Sequence, residues 1–232
     1  MPDSPRKRLV RDHNRVEPGD AIGIAIRMPV DRAHIVAALL APSLPAEWIT
    51  GLPGAITLYA TVGRDSLNGR PASHRWVNVI TDPPAGVPPD EGIGGLACIG
   101  SATDPVNRMW WRHGLGRVPG RLDVGLDRDR LEARVRIVTA GATITANAAF
   151  APAGEQWVAL PQHYYVLRPG RPMLLLGDEW GTRHDGSGSV AYSTPQGAGA
   201  FEASVGLDLD LGWDYRLGWP TRERAQGPSS GR

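Results

Sequence analysis

The sequence predicts a mainly β (α+β) fold: a curved antiparallel sheet closing into a barrel, with a few short helices. Two observations predict it. Apolar residues recur at alternate positions through most of the chain, which is the period of a half-buried strand. The last of these runs is also unusually long. Val205, Leu207, Leu209, Leu211, Trp213, Tyr215, Leu217 and Trp219 alternate with a polar set that includes Asp208, Asp210, Asp214 and Arg216. That exceeds the usual strand of about 3–10 residues, and Gly206, Gly212 and Gly218 allow it to bend or bulge. Long, bent, one-sided strands fit a sheet that curls on itself better than a parallel α/β sheet.

In chain order, residues 1–18 read as a flexible basic arm carrying Arg6, Lys7, Arg8, Arg11 and Arg15. Residues 19–220 read as one domain, and 221–232 (TRERAQGPSSGR) as a tail with no apolar face. Ile22, Ile24 and Ile26 share one face of a first strand. Asp31 is placed to cap a helix whose buried side carries Ile35, Val36, Leu39 and Leu40. A Pro-rich loop follows at residues 82–89.

Two later apolar faces are Leu131, Ala133, Val135 and Ile137, then Ile144, Ala146, Ala148 and Phe150. Ala140-Gly141 between them predicts a hairpin. Its register sets Arg136 opposite Thr145 and Arg134 opposite Asn147, giving a polar face that is either solvated or a pocket wall. Pro169-Gly170 marks another turn.

Composition excludes several classes. A net charge of +1 lacks the basic surface of a nucleic-acid binder. The single cysteine, Cys98, excludes an internal disulfide, and its apolar neighbours mark it as a small buried hydrophobe. No apolar run approaches the roughly 18 residues of a membrane span, and no signal-peptide core precedes the domain, so a cytoplasmic location is expected. Arginine replaces lysine almost everywhere, as in chains from GC-rich bacterial genomes. No zinc signature, Ser-centred elbow or phosphate loop is present, and no metal or cofactor is expected. Asp178, Glu179, His184 and Asp185 offer metal donors in a Gly-rich stretch, but at no recognised ligand spacing; a solvated loop is the expectation.

Two stretches resemble the acetoacetate decarboxylase-like superfamily: IAIRMPVDRAHIVAALLAPSLP (residues 24–45) and DPVNRMWWRHGLGRVPGR (residues 104–121). The resemblance implies a closed, cone-like β-barrel with an enclosed pocket. It matches Arg27 to the family's pocket arginine, which contacts a substrate carboxylate or the acid network. Asp104, Leu115 and Pro119 also align. Where the family carries Pro-Lys-Lys, this chain has Pro119, Gly120 and Arg121, and its one lysine is Lys7. Arginine stays protonated and forms no imine. The implied protein is thus a divergent, lysine-lacking member.

It would act without a covalent imine on a keto- or enol-bearing metabolite, by cyclisation, dehydration, isomerisation or decarboxylation. That is lyase or isomerase chemistry, suited to bacterial biosynthesis and secondary metabolism. Arg27 and Arg121 would orient or stabilise negative charge, and His113 would move the proton. Trp110, Trp111, Arg134, Arg136, Asn147 and Tyr164 are candidate substrate contacts. Blander roles stand beside these: Arg121 pairing with Asp123 or Asp127, His113 as a structural residue, the tryptophans as core. The expected partner is a small molecule, without nucleic acid or membrane, and homo-oligomerisation is left open. The rival reading is a non-catalytic barrel that carries a hydrophobic ligand, with an apolar lumen.

Overall fold

The computed structural model describes residues 12–45, 55–82, 92–166 and 174–218, without the side chains of residues 12, 158–177, 216 and 217. Among the described residues, ten strands and two α-helices follow one another. They are β1 (Asp12–Met28), α1 (Ala33–Leu40), β2 (Ile56–Leu67), β3 (Arg70–Thr81), β4 (Gly92–Gly100), α2 (Pro105–Arg112) and β5 (Gly116–Asp127). Then come β6 (Glu132–Thr139), β7 (Thr143–Phe150), β8 (Glu155–Val166), β9 (Leu174–Thr194) and β10 (Gly197–Gly218). The mainly β barrel expected from the alternation is what forms.

The sheet closes on itself and also forks. One closed circuit of nine strands runs β10-β1-β2-β3-β4-β5-β6-β7-β9 and back to β10. Along β4, Ala97–Gly100 pair with β5, whereas Gly92–Gly95 pair with β8. Along β9, residues 186–193 pair with β7 and residues 174–183 with β8. A second circuit of seven strands, β10-β1-β2-β3-β4-β8-β9, therefore branches from the first.

Because side chains alternate across a strand, the shared strands present one parity to each lumen. Ile24, Ile26, Leu58, Val77, Val79, Ala97 and Ile99 join Val118, Val135, Ile137 and Ile144 in a dry core, packed by Ile35, Val36, Leu39 and Leu40 of α1. The opposite parity carries Ala21, Trp76 and Cys98, which pack with Val106, Met109 and Trp110 of α2. Asp104 caps α2, accepting from the Val106 and Asn107 amides at 2.8 and 3.4 Å, with Pro105 in the first turn.

The long run on β10 does not lie on one face. Between Leu209 and Gly212 the register against β9 slips by one residue, and Asp210 takes φ 50°. Against β1 the slip falls between Asp208 and Leu211. One extra residue inverts the parity. Val205 and Leu207 enter the dry core, while Leu211, Trp213 and Tyr215 enter the second lumen together with Asp208.

The β6–β7 register is the expected one, with Arg136 opposite Thr145 and Arg134 opposite Asn147. Three expectations need correction. Residues 12–18 are not a free arm: β1 begins at Asp12, where pairing with β10 buries Asn14 and Val16. Asp31 does not cap α1; Arg32 holds the N-cap position without a side-chain bond, after a 3₁₀ turn. Residues 178–185 form strand rather than a loop, paired with β10 and, over 179–183, with β8 as well. Residues 1–11, the tail from 219, the segment 83–91 and the Pro169-Gly170 turn lie outside the described residues. No helix among the described residues is long and apolar enough to cross a membrane.

Candidate active site

The second lumen differs from the first in holding a buried polar group beside its aromatic cluster. Its inner face carries Tyr59 on β2, Asp208 on β10, and Glu179 and Arg183 on β9. Register explains the grouping. Ala25 faces Tyr59, Gly23 faces both Thr61 and Asp208, and Asp208 faces Arg183, so all project to one side. Asp208 takes its place by plain alternation with Leu207, and the bulge that follows it turns Leu211, Trp213 and Tyr215 to the same side. Gly23 and Gly181 keep space open, since a Cβ at Gly23 would strike the Tyr59 hydroxyl and one at Gly181 would crowd the Trp157 indole.

Asp208 is fully buried and saturated with donors. Its Oδ1 accepts from Arg183 Nε at 2.7 Å and from Trp157 Nε1 at 3.2 Å. Its Oδ2 accepts from Arg183 Nη2 at 2.6 Å and from the Tyr59 hydroxyl at 2.8 Å. The Arg183 contact is the two-pronged fork–carboxylate geometry that gives both strength and orientation. The guanidinium also lies 5.5 Å from the Trp157 ring centre. Burial works against the arginine's charge, but the bonds and proximity to Asp208 outweigh it and raise its pKa. Burial, then the Asp208 and Glu179 charges, hold the Tyr59 phenol well above its ordinary pKa.

Glu179 plays a different part. Burial raises its carboxyl to about 7, although a hydrogen bond from Tyr215 pulls the other way. It sits at the wall of a cavity of about 570 Å³, bordered also by Arg27, Tyr59, Trp157, Arg183 and Asp185. Ile80 and Ile93 supply apolar wall. The site therefore pairs a carboxyl that exchanges its proton near neutrality with a locked guanidinium and a phenol donor.

Of the residues singled out by sequence, Arg27 borders this cavity, on an exposed rim. The structure does not bring Arg121 to it. Arg121 lies on the outer surface, its side chain 74% exposed, and donates to Asp123 at 3.0 Å. His113 is buried at the C-terminal cap of α2, its amide bonded to the Met109 carbonyl. Trp110 is buried in an aromatic group with Trp76 and Tyr215. Trp111 donates to the Cys98 carbonyl at 2.7 Å and receives Arg117 over its ring. Arg134, Arg136 and Asn147 are exposed; Arg134 and Asn147 border an outer recess of about 620 Å³ with Glu202. Tyr164 belongs to β8, opposite Ile93 and Leu175, but its side chain lies outside the described residues.

Sequence reasoning missed Tyr59, Trp157, Arg183 and Asp208, and placed Glu179 in a loop. One signal was available. Glu179, Gly181, Arg183 and Asp185 alternate like a strand with a polar inner face.

No protein-family model matches this sequence, and no curated protein matches it. A solved structure described as acetoacetate decarboxylase is similar over 92% of this chain and 88% of that one, with 11% identity and a TM-score of 0.36. That likeness supports no residue-by-residue correspondence, so the site stands on its own geometry.

Proposed function

We propose that the seven-strand lumen is the active site of a small-molecule enzyme that moves a proton on a carbonyl-bearing metabolite. The observation that carries this reading is Glu179, a carboxyl titrating near 7 at the wall of a cavity that also holds the Arg183–Asp208–Tyr59 group. In its ionised form Glu179 removes a proton next to a carbonyl. Arg183, held rigid by Asp208 and Trp157, stabilises the enolate oxygen that develops. Glu179 then returns the proton at the same or a neighbouring carbon. Asp208 is fully engaged with its donors, so it positions rather than reacts. Arg27 at the rim attracts a carboxylate or a second carbonyl oxygen.

The chemistry proceeds without an imine, because the one lysine in the chain is Lys7 and the cavity-lining residues include none. Isomerisation, dehydration and enolate cyclisation share this proton abstraction; in an enol-type decarboxylation CO₂ leaves in its place, and protonated Glu179 supplies the proton that the resulting enolate takes up. The polar lumen disfavours a carrier of purely hydrophobic ligands.

The test is α-proton exchange in D₂O, followed by NMR over a panel of keto acids and enones. Exchange is expected with the native protein, loss of about 10²–10⁴-fold with Glu179→Gln, and no mass adduct after borohydride. Ligands that bind without any exchange would make the protein a carrier; a borohydride adduct would restore the imine.

A further inference from the structure

The cavity beside Glu179 has its donors turned inward and its acceptors left open. Arg183, the Trp157 indole and the Tyr59 hydroxyl all donate to Asp208. Arg183 faces Glu155 across the β8–β9 ladder, yet its guanidinium turns away onto Asp208 of β10. Glu155 and Asp185 both border the cavity, exposed at its mouth. Neither carboxylate has an ion pair among the described residues. Deeper in, Asn78 stands opposite Tyr59 on β3, 3% exposed, and its carboxamide oxygen has no hydrogen-bond partner.

The ladders set these acceptors around open space. Asp185, Gly206, Ala25 and Tyr59 lie side by side on β9, β10, β1 and β2. Gly206 has no side chain, and Ala25 lines the cavity with a single methyl. Because Arg183 is the residue opposite Glu155, Asp185 is its diagonal neighbour. Backbones on such a diagonal are about 7–8 Å apart, so the two carboxylates can converge on one cation. With Arg183 matched by Asp208, the remaining charges of the wall are Arg27 against Glu155, Asp185 and Glu179. The surplus is negative whether or not Glu179 holds its proton.

We propose that the substrate of this cavity is a carbonyl compound bearing a primary ammonium group, held at the mouth by Glu155 and Asp185 with its carbonyl turned inward to Arg183. The carbonyl half rests on the active-site reading above; the ammonium half rests on the mouth.

An ammonium brings three N–H donors and no acceptor, the complement of a wall whose unpaired groups are acceptors. Arg183 keeps N–H groups beyond the two that bind Asp208, and these meet the carbonyl oxygen. Arg27, on β1 with β10 between it and β9, is free to take a carboxylate, so an amino keto acid engages both signs of charge at the mouth. A keto acid without the amine meets two carboxylates and one guanidinium there, and the balance works against it. The same charges orient the substrate, amine outward and carbonyl inward toward Glu179.

Calorimetry of the full chain with two probes that differ in the amine alone, 5-amino-4-oxopentanoate and 4-oxopentanoate, tests this. The amine is expected to bind about tenfold tighter at low ionic strength, with the advantage shrinking as salt is added. Glu155→Gln combined with Asp185→Asn should bring the two probes to equal affinity. Glu202→Gln, which removes a carboxylate of the outer recess, should keep the preference. Equal affinities in the native chain, tighter binding of 4-oxopentanoate, no binding of either probe, or a preference that survives the double substitution overturns the ammonium site. α-Proton exchange separates this outcome from the active-site reading. An amine preference without exchange removes the enzyme and keeps the ammonium site, whereas exchange without a preference removes the ammonium site alone.

Discussion

Replacing Asp208 with alanine removes the acceptor of four hydrogen bonds at once and leaves Arg183 facing Tyr59 and Trp157 with no carboxylate between them. Breaking a buried ion pair from one side costs about 3–5 kcal/mol. The Arg183 side chain is 34% exposed, so water recovers part of its charge and the lower end applies, about 3 kcal/mol. For a chain of this size that lowers Tm by about 6–12 °C. Urea and thermal melts at pH 7 measure it. A double-mutant cycle with Arg183→Met sharpens the test. Asp208→Ala strands a cation and Arg183→Met strands a carboxylate, but the double variant strands neither, so the two costs should fail to add by about 1–3 kcal/mol. An Asp208→Ala loss below about 1 kcal/mol, or strict additivity, would refute the view that this pair organises the lumen.

Three further outcomes follow from the same geometry. Glu179 binds its proton more tightly folded than unfolded, so its penalty is absent below about pH 4.5 and grows as pH rises through about 7; Glu179→Gln should narrow the difference in urea midpoint between pH 5 and pH 8 by an amount equivalent to about 3 kcal/mol. Gly212→Val would drive a side chain into the Trp180 indole beside the β10 bulge; a loss of about 1–3 kcal/mol is expected, with weakened binding of any cavity ligand by calorimetry. Arg121→Ala, at the outer surface, should change stability by less than about 0.5 kcal/mol and leave α-proton exchange as it was; loss of exchange would return Arg121 to the site.

What the sequence revealed depended on whether a rule acted locally. The β6–β7 hairpin was legible because Ala140-Gly141 and a clean period of two determine a register within about twenty residues. The buried face of α1 was legible for the same reason. The Asp104 cap was present in the letters Asp-Pro, but reading that stretch as a family segment obscured an ordinary helix start. Asp208 was not legible. Alternation sets it opposite Val205 and Leu207, where it lies, but nothing in the run says that this second face also closes into a lumen or that a bulge turns Leu211, Trp213 and Tyr215 toward it. β9 was hidden by its glycines. Gly186 and Gly188 read as loop residues, yet they are where the β7 backbone and side chains come too close for a Cβ. Arg27 borders the cavity from an exposed rim, while Arg121 lies on the outer surface.

The fork in the sheet has a consequence for how this molecule tolerates change. On six shared strands, neighbouring positions belong to different compartments, one dry and one polar. Substitutions at Tyr59, Asn78 or Trp76 alter the second lumen, while those at Leu58, Val77 or Val79 answer only to volume in the other. The two compartments are thereby written on alternate letters of the same strands, so the lining of one can change while the side chains of the other keep their neighbours.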